Sequence, residues 1–257
     1  MKDRFMTLHR SRFSLLASRF SLLASRFSLT RGTLAALTLL GLAALPQAAQ
    51  AQTDLPATDF GRIFNDGSGG TNANYFAGFG GITGRNFFVF DLSSVSGTIT
   101  AATLKLYNPA SGVDGAGGNG YSSPDATETY DLTSTTSTPA QLAAGGVPAY
   151  NTLGTGTSFN SKSISNADNG TDVLLSFNAA GLSTLNGGIG GLIAVGGQIT
   201  SISGGATQVA FFFTHQTSGL HRPTLTITTT SSSAPEPGTL ALLALGMVGG
   251  IVARRRK

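Results

Sequence analysis

The chain of 257 residues contains no cysteine and no tryptophan, and only 11% of it is charged. Without cysteine there is no disulfide and no thiolate nucleophile or metal ligand, so a domain built from this chain rests on its core alone. Without tryptophan the largest aromatic platform for stacking on a ligand is missing. Glutamate is scarce as well, with Glu128 and Glu236 the only two. Hydrolysis of a glycan asks for two carboxylates across a cleft. The nearest set is Asp125, Glu128 and Asp131, and strand alternation puts Asp131 on the opposite face from Glu128. The Gly-x-Ser-x-Gly nucleophile elbow is absent too. The expectation is therefore that the chain is not an enzyme, the alternative being a secreted glycan-active enzyme with an unrecognised site.

Basic charge looks plentiful, with a sequence pI of about 9.7, but its location decides what it means. Seven of the lysines and arginines lie before Gln52 and four end the chain; five remain between Gln52 and Ala234, against ten Asp and Glu, a net charge of −5. A domain so charged has no basic patch for phosphates, which excludes nucleic-acid binding.

Both long apolar runs sit at the ends. Residues 1–51 have a basic region, the run Leu34 to Leu45, the helix breaker Pro46, and Ala49-Gln50-Ala51 with small residues where signal peptidase requires them. This predicts a signal helix, cleaved after Ala51 to leave Gln52 first. No twin arginine is present in residues 1–51, so export is expected as an unfolded chain. The segment Ser-Arg-Phe-Ser-Leu-Leu-Ala at Ser11 and Ser18 nearly recurs at Ser25, a heptapeptide duplication with no paired charges to sustain a coiled coil.

At the other end, Gly238 to Ala253 carries no charge. As a helix it spans roughly 24 Å, enough for a somewhat thinned bilayer. Arg254, Arg255, Arg256 and Lys257 hold its end on the cytoplasmic side. Pro235-Glu236-Pro237, the helix and the basic end together resemble the PEP-CTERM sorting signal of Gram-negative bacteria. The resemblance implies transient anchoring in the inner membrane, cutting near the motif by a membrane-embedded exosortase, and delivery to the cell surface or the extracellular polysaccharide matrix.

Between the ends, short β-prone runs alternate with Gly, Asn, Ser, Thr and Asp, the pattern of an all-β antiparallel sandwich over residues 52–227. Predicted strands are Arg85 to Leu92, Thr98 to Asn108, Thr127 to Leu132, Asp172 to Phe177, Gly191 to Val195, Gln208 to Thr214 and Thr224 to Thr228. Phe88, Phe90, Leu104, Leu106, Phe211, Phe213, Leu225 and Ile227 are the predicted core. Only Ala179 to Leu185 looks helical, stopped by Gly187-Gly188 and suited to plug one end of the sandwich. Residues 228–233 read as a Ser/Thr spacer before the sorting tail at 234–257. Phe87 to Leu92, Ile99 to Tyr107 and Arg222 to Ile227 are similar to the framework of DNRLRE-type jelly-roll domains of secreted bacterial proteins, which implies a jelly-roll-like two-sheet sandwich with these segments as core strands.

Candidate chemistry is thin. Gly115, Gly117 and Gly120 match a dinucleotide fingerprint formally but lack the helix that such a site needs. His215 and His221 flank a short loop without carboxylates to complete a zinc set. Asp168 and Asp172, with Asn166 and Asn169, and separately Asn65 and Asp66, cluster hard oxygens, so calcium is the one metal considered, without an EF-hand pattern and with turn chemistry as the ordinary explanation. No cofactor is expected. Tyr75, Tyr107, Tyr121, Tyr130 and Tyr150 are candidate glycan contacts, the alternative being packing at the core edge. Partners on this reading are signal peptidase, exosortase and extracellular polysaccharide. Glycan affinity is expected to be roughly millimolar to micromolar per site, gaining by multivalency and varying little with salt unless calcium bridges the acidic domain to an acidic polymer.

Overall fold

The structure, a computed structural model, describes residues 50–72, 74–113, 116–212 and 221–230. The expected signal helix, Ala49, Phe213, His215, the run 238–253, Pro235-Glu236-Pro237 and Arg254 to Lys257 all lie outside the described residues. Among the described residues, no helix is long and apolar enough to cross a membrane.

The domain is a β-sandwich of two antiparallel sheets. The smaller has the order β1-β12-β6-β9, formed by Gln50–Pro56, Thr224–Thr230, Thr98–Asn108 and Thr171–Ser176. The larger sheet of eight runs β11-β4-β5-β10-β7-β8, formed by Gln208–Ala210, Ala77–Phe79, Thr83–Asp91, Leu192–Ile199, Thr127–Ser134 and Ser158–Ser165. Beside β4, β5 also pairs with β2, Asp59–Phe64, which carries β3, Gly69–Thr71.

Alternation explains the core. In β6, Leu104 and Leu106 are fully buried while Lys105 between them is half-buried, because successive side chains point to opposite faces. Leu225 and Ile227 of β12 lie on the same inner face by the register Leu225↔Leu104 and Ile227↔Ala102. Phe88, Phe90 and Leu92 meet them from the larger sheet, and Phe211 completes the set, so every predicted core residue among those described is buried. The predicted strand at Gln208 ends early, at Ala210. Phe211 takes a left-handed φ of 60°, and its N–H donates to the buried Asn108 Oδ1 at 2.9 Å.

The opposite side of β5 shows what alternation did not. Phe87 and Val89 are buried as well, under Leu142, Ala149, Tyr150 and Leu153, which form a second small core with Ile63. The cover consists of two helices of six residues, α1 (Pro139–Ala144) and α2 (Val147–Thr152). One short helix was expected; there are three among the described residues. Six residues are too few to display a helical period, but α1 starts at a capping box in which Thr138 and Gln141 satisfy each other's backbone N–H groups, with Pro139 at the first helical position. The expected helix is α3, Ala179–Gly187. Leu185 enters the main core, and Asn186 pins the helix to β6 by accepting from Ile99 N–H at 2.9 Å and donating to Ile99 O at 2.9 Å.

Two boundaries move. β12 continues to Thr230, paired with β1 and β6, so the first half of the expected spacer 228–233 is strand. β1 begins at Gln50, so the expected cleavage after Ala51 falls within an edge strand whose residues are exposed apart from the half-buried Leu55. The β1 and β12 pairing, with Gln50 opposite Thr230, brings the start of the domain beside its end.

Candidate ligand site on the smaller sheet

The outer face of the smaller sheet carries the residues that alternate with the core: Lys105 and Tyr107 on β6, Asp172 on β9 and Thr224 on β12. Register brings them together, with Thr224 opposite Lys105, Asp172 opposite Tyr107, and Pro56 of β1 opposite Thr224. His221 and Arg222, just before β12, border one side of the resulting open cavity, whose volume is about 470 Å³. That lies within the ordinary range of small-ligand sites.

Its walls are an aromatic stack and a few charges. The His221 and Tyr107 rings lie parallel, 3.6 Å apart with 10° between their planes. Lys105 Nζ stands 4.0 Å from Asp172 Oδ2, with both side chains more than two-fifths exposed, so the pair contributes little to stability. Arg222 donates from Nε to Ala57 O at 2.6 Å and from Nη2 to Thr58 O at 3.2 Å, and sits over the Phe60 ring at 5.8 Å. These two bonds hold the guanidinium against the turn after β1. The lining offers hydrogen-bond donors, one carboxylate and a flat aromatic wall, the elements with which a protein recognises a polar ring.

The five tyrosines proposed as glycan contacts are all buried, none more than 9% exposed. Tyr75, Tyr121 and Tyr130 belong to the main core, where their rings cannot meet a sugar. Their hydroxyls find acceptors inside, Tyr107 O at 3.1 Å, Asp125 O at 2.7 Å and Asn86 Oδ1 at 2.9 Å. Burial drives the Tyr75 and Tyr130 phenols far above their usual range and raises that of Tyr121. Tyr150 packs in the second core beneath Arg85, whose guanidinium lies 4.4 Å from the ring centre. Tyr107 alone of the five lines the cavity.

The oxygen clusters serve the fold. Asp168 Oδ2 accepts from Ser165 N–H at 2.8 Å and caps a 3-10 turn. Asn169 Oδ1 accepts from Asn108 Nδ2 and Tyr121 N–H, both at 2.8 Å. Asp66 Oδ1 accepts from Ser68 N–H at 2.8 Å within a turn. Asp172 faces the cavity, away from Asp168's cap. Among the described residues, no group of three or more His, Asp or Glu is placed to hold a metal. Glu128 is fully buried and accepts from the hydroxyls of Ser123 and Ser201, while Asp131 lies half-buried near Ser158, so the two are separated as alternation required. Asn108 ends β6, and no helix follows the glycine-rich loop among the described residues before β7.

Residues 233–257 match the PEP-CTERM protein-sorting motif family. The chain carries a PEP-CTERM sorting tail. The match covers only that tail; no curated protein matches the chain. A PEP-CTERM tail points to processing by an exosortase and to export to the cell surface or extracellular space. The cavity residues were not legible as a group beforehand. Lys105 and Tyr107 are two apart in one strand, but Asp172, Arg222 and Thr224 reach them only through strand pairings that the sequence does not display.

Proposed function

We propose that this protein is a structural or weakly polysaccharide-associating component of the cell surface or extracellular matrix, anchored transiently in the inner membrane and released there by exosortase. The sorting tail carries the reading, and a cysteine-free sandwich with a polar, aromatic-walled cavity supports it. The jelly-roll kinship suggested by the strand motifs is part of the same proposal, as are removal of the leader after Ala51 and passage of residues 238–253 through the membrane. Calcium is not required by the reading.

The test is fractionation of producing cells with intact-mass measurement. The surface form is expected to begin at Gln52, to lack Arg254 to Lys257, and to fall well below the precursor mass of 26.1 kDa. Replacing Pro235 and Glu236 with alanine is expected to hold the protein in the inner membrane. Unchanged release of that variant, or a surface form that keeps the four terminal cations, refutes exosortase sorting. Incubation with the organism's own matrix is expected to retain the protein without releasing reducing sugar; release of sugar would establish the enzyme instead.

A further inference from the structure

Between the expected cut sites the chain has five lysines and arginines against ten acidic residues. Two of those five, Lys105 and Arg222, line the same cavity as the Tyr107 and His221 stack. We propose that this cavity binds a sugar that bears a carboxylate, a uronic acid unit of an acidic polysaccharide; the proposal rests on the polysaccharide-associating reading and specifies its ligand. Arg222 spends Nε and Nη2 on the carbonyls of Ala57 and Thr58, which orients the guanidinium, and Nη1 has no hydrogen bond among the described residues. A fixed guanidinium with a remaining donor suits a carboxylate better than a flexible ammonium does. Lys105, its side chain 44% exposed and loosely paired with Asp172, supplies a second cation without having to give up a strong bond.

The remaining lining fits the rest of such a sugar. Asp172 is the one acid in the lining; paired with Lys105, it competes with a bound carboxylate for that cation. The half-buried His221 ring, backed by the buried Tyr107 stacked 3.6 Å beneath it, gives a flat wall for the C–H face of the ring. Asp54, the next acid on this face, stands opposite Thr226 and is held by that residue's hydroxyl at 2.6 Å. Lys105 and Arg222 against Asp172 leave the cavity one positive charge in excess, inside a domain whose net charge is −5. A neutral sugar would cover both cations without giving them a counter-charge, at a desolvation cost that a carboxylate offsets. Binding therefore depends on salt, contrary to the expectation drawn from net charge alone.

The experiment measures binding of the exported protein, recovered from producing cells, to polygalacturonate, to carboxyl-reduced polygalacturonate and to dextran, at low and high salt. Polygalacturonate is expected to bind about tenfold more tightly than its reduced form and to lose most of that margin at high salt. Lys105→Gln is expected to weaken polygalacturonate binding about two- to fivefold, and Asp172→Asn to strengthen it by a similar factor, with dextran unaffected and the thermal midpoints unchanged. Lys105 and Asp172 are surface residues, so neither variant threatens folding. Equal binding of the acidic, reduced and neutral polymers, or no response to either variant, overturns the carboxylate assignment while leaving polysaccharide association in place. No retention by any of the three polymers overturns both.

Discussion

Replacing Gly197 with alanine tests the packing of the larger sheet at its most crowded point. Gly197 lies in β10, paired on one side with Asn86 of β5 and on the other with Leu132 of β7. A Cβ at this position would overlap the Tyr130 hydroxyl, its ring carbon Cζ and Asn86 Oδ1. Tyr130 and Asn86 are both fully buried, and their 2.9 Å hydrogen bond is the inner end of a chain that continues from Asn86 Nδ2 to Tyr75 O at 2.7 Å. In an unobstructed position a glycine-to-alanine change stabilises by about 0.4–1 kcal/mol, because it restricts the unfolded chain. Here the methyl must displace the hydroxyl. Overpacking costs about 1–3 kcal/mol and a stranded buried acceptor about 1–3 kcal/mol, so a loss of about 2–6 kcal/mol is expected. Against a total stability of about 5–15 kcal/mol that is a large fraction, and at about 2–4 °C per kcal/mol it lowers the thermal midpoint by roughly 4–24 °C. Urea denaturation followed by far-UV circular dichroism measures it, with an unchanged m-value. The second arm is a double-mutant cycle. Tyr130→Phe alone is expected to cost about 1–3 kcal/mol, and combined with Gly197→Ala to cost less than the sum, because the nearest clashing atom is gone while Cζ remains. A Gly197→Ala protein within about 0.5 kcal/mol of wild type, or an additive cycle, refutes the close approach.

Two further outcomes follow from the buried polar groups. Below the unfolded phenol value near 10, Tyr75 and Tyr130 are protonated in both folded and unfolded chains, so stability is at its full value; above it the unfolded chain releases protons that the folded chain keeps, and stability falls by about 1.4 kcal/mol per pH unit for each. Ultraviolet titration of tyrosinate should accordingly leave these two of the five silent until the protein unfolds, and their ionisation in a protein that keeps its native circular dichroism would contradict their burial. Asn108→Leu should cost about 2–4 kcal/mol in the same urea assay, because it strands the Phe211 N–H that holds the left-handed turn and removes the donor to Asn169. A cost below about 1 kcal/mol would mean that water or backbone adjustment supplies those bonds.

What the sequence determined by itself is whatever a single segment can encode. The alternation in Thr98–Asn108 assigns Leu104 and Leu106 to the core and Lys105 to the outer face, because a strand's period of two acts without reference to any partner. The stretch Ala179 to Leu185 and its closing glycines made α3 readable in the same way, while the Asn178 cap was found only in the structure. The sorting tail is a local address in the same sense, three adjacent features in fixed order. Helices α1 and α2 escaped because six residues hold too little of a helical period, and their reason for existing, the outer side of Phe87 and Val89 that they cover, lies in a strand about fifty residues earlier in the chain.

Only the tertiary structure decided which polar residues face a ligand and which are spent on the fold. Five tyrosines of identical chemistry were indistinguishable in sequence; packing buried Tyr75, Tyr121 and Tyr130 in the main core, tucked Tyr150 under Arg85, and left Tyr107 at the cavity beneath His221. Lys105, Asp172, Arg222 and Thr224 became neighbours through the registers of β12 and β9 on either side of β6, and pairing between distant strands depends on which hydrophobic faces are buried together, which no single stretch of residues records.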